Sequence, residues 1–315
     1  MAVVGAASAQ TGVTLSGKLG FPYKTETAAA AAVADRQGLG VTDGHFTLGA
    51  SEDLGGGLKI AASMEVQSRG RTTGITGRDA SLTLSGGFGS VMIGAIENGN
   101  GIIGLGGADA PTMGLDGAAG LGGISRVVLS DVMDMDVLTY TSPDMSGFTF
   151  SAALLDATTA GGMQSTAATQ DASLIGVNYA NGPYAAAADY TNFGLNAVAA
   201  GPAALDNRLR LSVSYDFGAA KVGFGYEKLK NTDVANTGES QYLLGVSDPV
   251  GSNMSVGLNY ARNNKDAANT VTSYELGLGY SLSKRTGLQA AYQHIAEDTV
   301  AGSATAFRVR LLHSF

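Results

Sequence analysis

The chain is predicted to be all-β, a sixteen-stranded antiparallel barrel of the up-and-down kind that crosses a membrane with its strands. Three observations predict it. Apolar and polar residues alternate with period two along nearly the whole sequence, the connections between alternating segments are short and long by turns, and aromatic residues gather at the segment ends on the apolar side.

Composition removes the competitors. Of 315 residues 46 are glycine, none is cysteine or tryptophan, and 15% are charged, against about 25% in ordinary soluble domains. That excludes a disulfide scaffold, a thiolate zinc site and a charge-rich disordered chain. A net charge of −8 with 19 Lys+Arg leaves no basic surplus to neutralise a phosphate backbone, so no nucleic-acid partner is expected. Every apolar stretch is interrupted before the roughly 18 residues that a membrane-spanning helix requires. Met1 to Ala9 reads as the remnant of a secretory leader ending in the small-x-small pattern Ala7-Ser8-Ala9, which makes Gln10 the expected mature start and 10–315 a single barrel domain.

The expected strands are, in order, 13–20, 45–52, 58–70, 78–86, 89–97, 135–142, 147–156, 171–180, 183–191, 207–216, 220–230, 240–247, 254–262, 272–281, 286–294 and 305–314. The third is the clearest. Leu58, Ile60, Ala62, Met64 and Val66 are apolar while Lys59, Ser63, Glu65, Gln67 and Arg69 are not, the mark of a strand with two different faces. Together the sixteen cover about half the chain, and their number is even.

Joining second to third, fourth to fifth and so on takes 2 to 6 residues, whereas the intervening connections take 7 to 37. Sorting of this kind puts all the hairpin turns at one end of a barrel and all the long loops at the other. Tyr140, Phe148, Tyr179, Tyr184, Tyr215, Tyr280 and Phe315 fall on the turn side; Tyr190, Tyr226, Tyr260, Tyr274, Tyr292 and Phe307 fall on the loop side. Two girdles at the lipid–water boundaries account for them. The opposite face carries Thr14, Ser16, Lys18, Thr47, Ser51, Thr149, Ser151, Asn178, Asp189, Ser212, Ser214, Asn259, Gln289 and Gln293. Sixteen strands enclose too wide a space for side chains to fill, so this face is expected to line water.

Specific residues then resemble those of one family. Gly77-Arg78-Asp79-Ala80, with Leu82, Leu84, Ser85-Gly86-Gly87-Phe88-Gly89-Ser90-Val91 and Ile93-Gly94, resembles the fourth-to-fifth-strand hairpin of proteobacterial trimeric porins. Tyr140-Thr141-Ser142-Pro143 with Ser146-Gly147-Phe148, Asn178-Tyr179-Ala180-Asn181-Gly182-Pro183, Tyr215-Asp216-Phe217-Gly218 and the closing Leu311-Leu312-His313-Ser314-Phe315 continue the resemblance in order. It implies a homotrimer in the bacterial outer membrane, surrounded by outer-membrane lipid and lipopolysaccharide. It also implies an assembly signal at Phe315 read by the barrel-assembly machinery, and passive passage of ions and small hydrophilic solutes. No cofactor or covalent chemistry is implied. Where family members often carry arginine, this chain has Ala95 and Leu312.

The 37-residue connection 98–134 matches in position the porin loop that folds into the lumen. On that reading Glu97, Asp109 and Asp116 are the constriction carboxylates. Basic residues of inward parity, Lys18, Lys59, Arg69, Arg308 and Arg310 in one group and Arg208 with Arg210 in another, form the wall, with Arg71, Arg78 and Arg126 as candidates for the rim. Loop acids sit where the bore is narrowest and wall arginines where water screens them, so a weak cation preference is expected.

Other chemistry is weakly marked. Asp131, Asp134 and Asp136 are the only candidates for a hard cation, and solvated acids are the plainer reading. Gly99-Asn100-Gly101-Ile102-Ile103-Gly104 has glycines at dinucleotide-loop spacing, but no crossover helix follows. Of His45, His294 and His313 only His294 has aromatic neighbours, and no nucleophile elbow accompanies it. An adhesive barrel with a plugged lumen and an outer-membrane lipase are the alternatives.

Overall fold

The computed structural model describes residues 12–27, 35–68, 74–96, 135–156, 171–193, 205–231, 238–265, 270–298 and 303–315. All regular structure among them is β. The strands are β1 (Gly12–Thr27), β2 (Arg36–Leu39), β3 (Asp43–Gly55), β4 (Leu58–Gln67), β5 (Thr76–Gly86), β6 (Gly89–Ile96), β7 (Met135–Thr141), β8 (Phe148–Asp156), β9 (Asp171–Asn181), β10 (Tyr184–Phe193), β11 (Leu205–Asp216), β12 (Lys221–Asn231), β13 (Gly238–Val250), β14 (Met254–Lys265), β15 (Val271–Ser281), β16 (Thr286–Glu297) and β17 (Ser303–Ser314). The expected leader, 1–9, lies outside the described residues.

From β3 to β17 each strand pairs antiparallel with the next, and β1 closes the ring. Its first half, Gly12–Gly20, pairs with β3, while Lys18–Thr27 pairs with β17. β2 pairs with β1 alone, so the wall holds sixteen strands and the seventeenth is an extension at the long-loop end. Closure leaves no row of ladder amides open, which the hydrocarbon layer demands. The turn from β3 into β4 shows why the short connections are so short. Gly55, Gly56 and Gly57 have φ of 80°, 62° and 83°, a left-handed path that only glycine follows without strain.

β1 runs seven residues past its expected end at residue 20, through a proline. Pro22 accepts a hydrogen bond from Gly40 N at 3.1 Å, so that side of the residue faces the gap between β2 and β3, where Pro22 lacks no ladder donor. Pro249 is likewise inside β13 near its end, beyond the expected boundary at 247.

Most of the large apolar and aromatic side chains project outward: Leu154 is 62% exposed, Ile175 64% and Leu276 55%. The two girdles are present. Phe148–Tyr179 and Tyr184–Tyr215 have ring centroids 4.5 and 4.7 Å apart on the turn side, and Tyr226–Tyr242 lie at 5.2 Å on the loop side.

The seam depends on one glycine. Gly17 exchanges backbone hydrogen bonds with Phe315 at 3.0 Å in both directions. A Cβ on Gly17 would fall 2.3 Å from the Phe315 ring and 2.9 Å from the backbone oxygen of His45. Gly17→Val is therefore expected to lower the temperature at which the folded band disappears in heat-modified gel electrophoresis, while Gly12→Val, where a Cβ meets only Ser51 Oγ at 3.8 Å, leaves it unchanged.

Candidate pore lining

Period two turns a different set of side chains to the inside. Asp43, Asp189, Thr191, Arg208, Arg210, Glu227, Gln241, Asn259, Asn263, Glu275, Gln293, Arg308 and Arg310 alternate with the exposed apolar residues and form a polar band around β10–β17, β1 and β3. All are buried, the four arginines to within 1%. The sequence reading put the wall arginines in wide, well-screened water, and this is corrected. A buried guanidinium requires acceptors close by, and neighbouring strands supply them to Arg210 and Arg310.

At the seam Arg310, on β17, reaches across β1 to β3. Its Nη1 donates to Asp43 Oδ2 at 2.8 Å and its Nε to Gln289 Oε1 at 2.9 Å, while Lys18 Nζ lies 3.4 Å from Asp43 Oδ1. The reach is possible because Gly20 of β1 stands between them without a side chain. A Cβ there would come 2.6 Å from Asp43 Oδ2 and 3.1 Å from Leu312 Cδ1. Lys24 Nζ, one step up the wall, lies 2.7 Å from Glu26, which also holds Arg36 of β2 at 2.9 Å. Lys18, Arg308 and Arg310 thus share adjacent strands, as expected on closure. Their wall is of mixed charge rather than uniformly basic. Lys59 belongs elsewhere, opposite Asp53 and Ser85 near the short-turn end.

The second group sits on β11, six strands from β17. Arg210 Nε donates to both carboxylate oxygens of Asp189 at 3.0 Å, both side chains fully buried, with Glu227 as its register partner on β12. The Arg208 guanidinium lies 5.9 Å from the centre of the Phe193 ring, within cation–π range. Glu227 and Glu275 were legible on inward parity inside expected strands, and nothing singled them out. Asp43 fell just outside the expected strand 45–52.

Phe193 belongs to an apolar patch within the otherwise polar inner face. Val137, Ala153, Leu155, Ala172 and Leu174 are buried with it on β7–β10, and Met92, Ile96 and Ala187 pack against them. Ile96 and Val137 flank the long connection.

Several expected site residues lie outside the described residues: Glu97, Asp109 and Asp116 of the loop, the wall residue Arg69, the rim candidates Arg71 and Arg126, and Asp131 and Asp134. Arg78 is described and bridges to Glu65, half-buried. Asp136 stands opposite Ala95 on β7 at an outer-face position, and no group of three metal-ligating side chains occurs among the described residues. Ala95 is itself exposed on the outer face, beside Ile93. The missing arginine at 95 therefore removes no charge from the lumen, and that support for cation preference falls.

A family model described as Gram-negative porin matches residues 1–299. Outer membrane porin protein 32 of Delftia acidovorans is 32% identical over 321 residues, covering 91% of this chain and 85% of that protein. Among solved structures, the anion-selective porin from Comamonas acidovorans superposes with a TM-score of 0.75 at 25% identity, covering 97% of this chain and all of that one. A loop-deletion mutant of OmpT from Vibrio cholerae gives 0.70 at 16% identity over 97% of this chain and 99% of that one, a likeness of fold alone.

Proposed function

Since the chain belongs to the Gram-negative porin family and is an integral β-barrel of the outer membrane, we propose that it is a general diffusion porin, a passive channel for ions and small hydrophilic solutes that performs no covalent chemistry. The closed ring of sixteen strands with a polar inner face carries this reading. Reconstitution into planar bilayers is expected to give large ohmic conductance steps. A plugged barrel is the second reading, favoured by the near-complete burial of Arg208, Arg210, Glu227 and Gln293. Absent steps would select it.

The connection 98–134 is the constriction, with Glu97, Asp109 and Asp116 facing the bore. The inner apolar patch supports this, because Val137, Leu155, Leu174 and Phe193 form a wall that apolar loop residues such as Ile102, Ile103 and Leu105 can cover.

Selectivity is proposed to be weak and toward anions, reversing the sign expected from sequence. The similar structure from Comamonas acidovorans is an anion-selective porin, and four arginines occupy the inner wall in two groups. In a salt gradient the reversal potential is expected to show anion preference that fades as salt rises and falls further in Arg208→Gln/Arg308→Gln. Cation preference in the unaltered protein would reject it.

A homotrimer is supported by the outer face of β1 and β3–β6. Val13, Ala50, Ala62, Leu82 and Ile93 form one cross-strand row there and, with Ala80, line a shallow concavity. Ala62→Arg is expected to convert the oligomer to folded monomers in native gel electrophoresis. Phe315 is proposed as the assembly signal and Gln10 as the mature start.

A further inference from the structure

Cationic side chains on the outer face at the long-loop end are confined, among the described strands of the wall, to β12 and β14. Lys228, Lys230 and Arg262 share parity with the exposed Phe224, Tyr260 and Leu258, so they point away from the lumen. Lys230 is matched by Asp206 at 3.3 Å. Among the described residues neither Lys228 nor Arg262 has a carboxylate partner. Lys228 Nζ donates to Ser240 Oγ at 3.2 Å and Arg262 Nε to Asn264 Oδ1 at 2.9 Å. Glu239, next to Ser240 on β13, is turned to the other face, where Asn263 and Lys265 engage it.

The register makes these four residues one site. Lys228, Ser240 and Asn264 are consecutive partners across β12, β13 and β14, and the Arg262 guanidinium leans toward that row through its bond to Asn264. Lys228 Nζ is held at Ser240 and the Arg262 guanidinium at Asn264, and these two partners stand on adjacent strands about 4.8 Å apart, so one phosphate lying over the Ser240–Asn264 pair meets both cations. One row below lie Tyr226 and Tyr242, level with Arg262 itself; the next row holds the exposed Phe224, Leu244 and Tyr260, and the row below that the exposed Leu258 and Leu276. Charge, aromatic belt and apolar strip follow one another down the wall in the order of a phosphorylated lipid lying against it.

The geometry points to Lys228, Ser240, Arg262 and Asn264 as a binding site for the phosphate of an outer-leaflet lipid, its acyl chains running down β12–β15. The lipid differs from a free anion in using the tyrosine and leucine rows as well as the two cations.

The test uses the full chain refolded in detergent and titrated with phosphatidic acid, phosphatidylcholine or inorganic phosphate, with bound lipid counted by native mass spectrometry. The unaltered protein is expected to bind phosphatidic acid about thirtyfold more tightly than Lys228→Gln/Arg262→Gln, the fold-change that corresponds to about 1 kcal/mol for each of two cations at an anionic surface. Lys228→Arg/Arg262→Lys keeps both charges and should bind as the unaltered protein does, which separates loss of the site from loss of the fold. Phosphatidylcholine should bind all three alike. Equal retention of phosphatidic acid by the neutral variant would overturn the site, and so would displacement of the lipid by inorganic phosphate, which would reveal a site for soluble anions. Conductance of the neutral variant should be unchanged, so this proposal and the channel reading fail independently.

Discussion

Removal of residues 99–123 is expected to raise single-channel conductance several-fold while leaving a folded barrel. Conductance of an ohmic pore is governed by its narrowest section, and a loop reaching inward from the wall sets that section. No ladder bond is at stake, because β6 ends at Ile96, β7 begins at Met135, and the pairing Ile96↔Met135 holds the two ends of the connection together whatever lies between them. The deletion would also uncover Val137, Leu155, Leu174 and Phe193 to water, at a cost proportional to their area. Steps of unchanged size in planar bilayers, from a protein that still runs as a folded band, would place the loop outside the bore.

The second large effect is on stability. Arg210→Met is expected to destabilise the barrel by about 3–5 kcal/mol, the usual consequence of removing one partner of a buried charge pair. Asp189 would be left fully buried with no guanidinium at its oxygens, and Glu227 would face the same vacancy from β12. Asp189→Asn/Arg210→Met should recover a substantial part of the loss, since an amide without a partner costs less than a carboxylate without one. Urea midpoints in detergent, compared across the single and double variants, give the coupling. Additive losses would mean that Arg210 is held chiefly by groups other than Asp189.

The wall was legible because alternation is a local property. Leu58 to Val66 declares its faces without knowledge of any neighbour, and the alternating lengths of the connections declare which ends lie together. Ring closure through β1 followed from the same count. Charge pairing was not legible, because it depends on register. Asp189 and Arg210 are 21 residues apart and meet only because Tyr190 pairs with Leu209 and Thr191 with Arg208. Arg310 and Asp43 are 267 residues apart and meet across a third strand, at a glycine whose role is to be empty. The reading of Ala95 failed for a related reason. A position after a glycine does not fix which way a side chain turns; the parity of β6 does, and there Met92 and Ile96 turn inward while Ala95 turns out.

The pairing of β1 with β17 also bears on how the barrel forms. Thr27 and Thr305 share a hydrogen bond across 278 residues of chain, so the closing ladder joins β1 to β17. Loop-closure entropy must be met in full before that ladder returns anything, which makes closure a slow, late event. Until it happens two strand edges are open, and an open edge inside hydrocarbon has no water to satisfy it. A chain that lacks β17 therefore forms no smaller working barrel. Quality control of this protein is written into its circumference, because a chain missing its final strand cannot remain in the membrane as a folded species and is exposed to proteolysis.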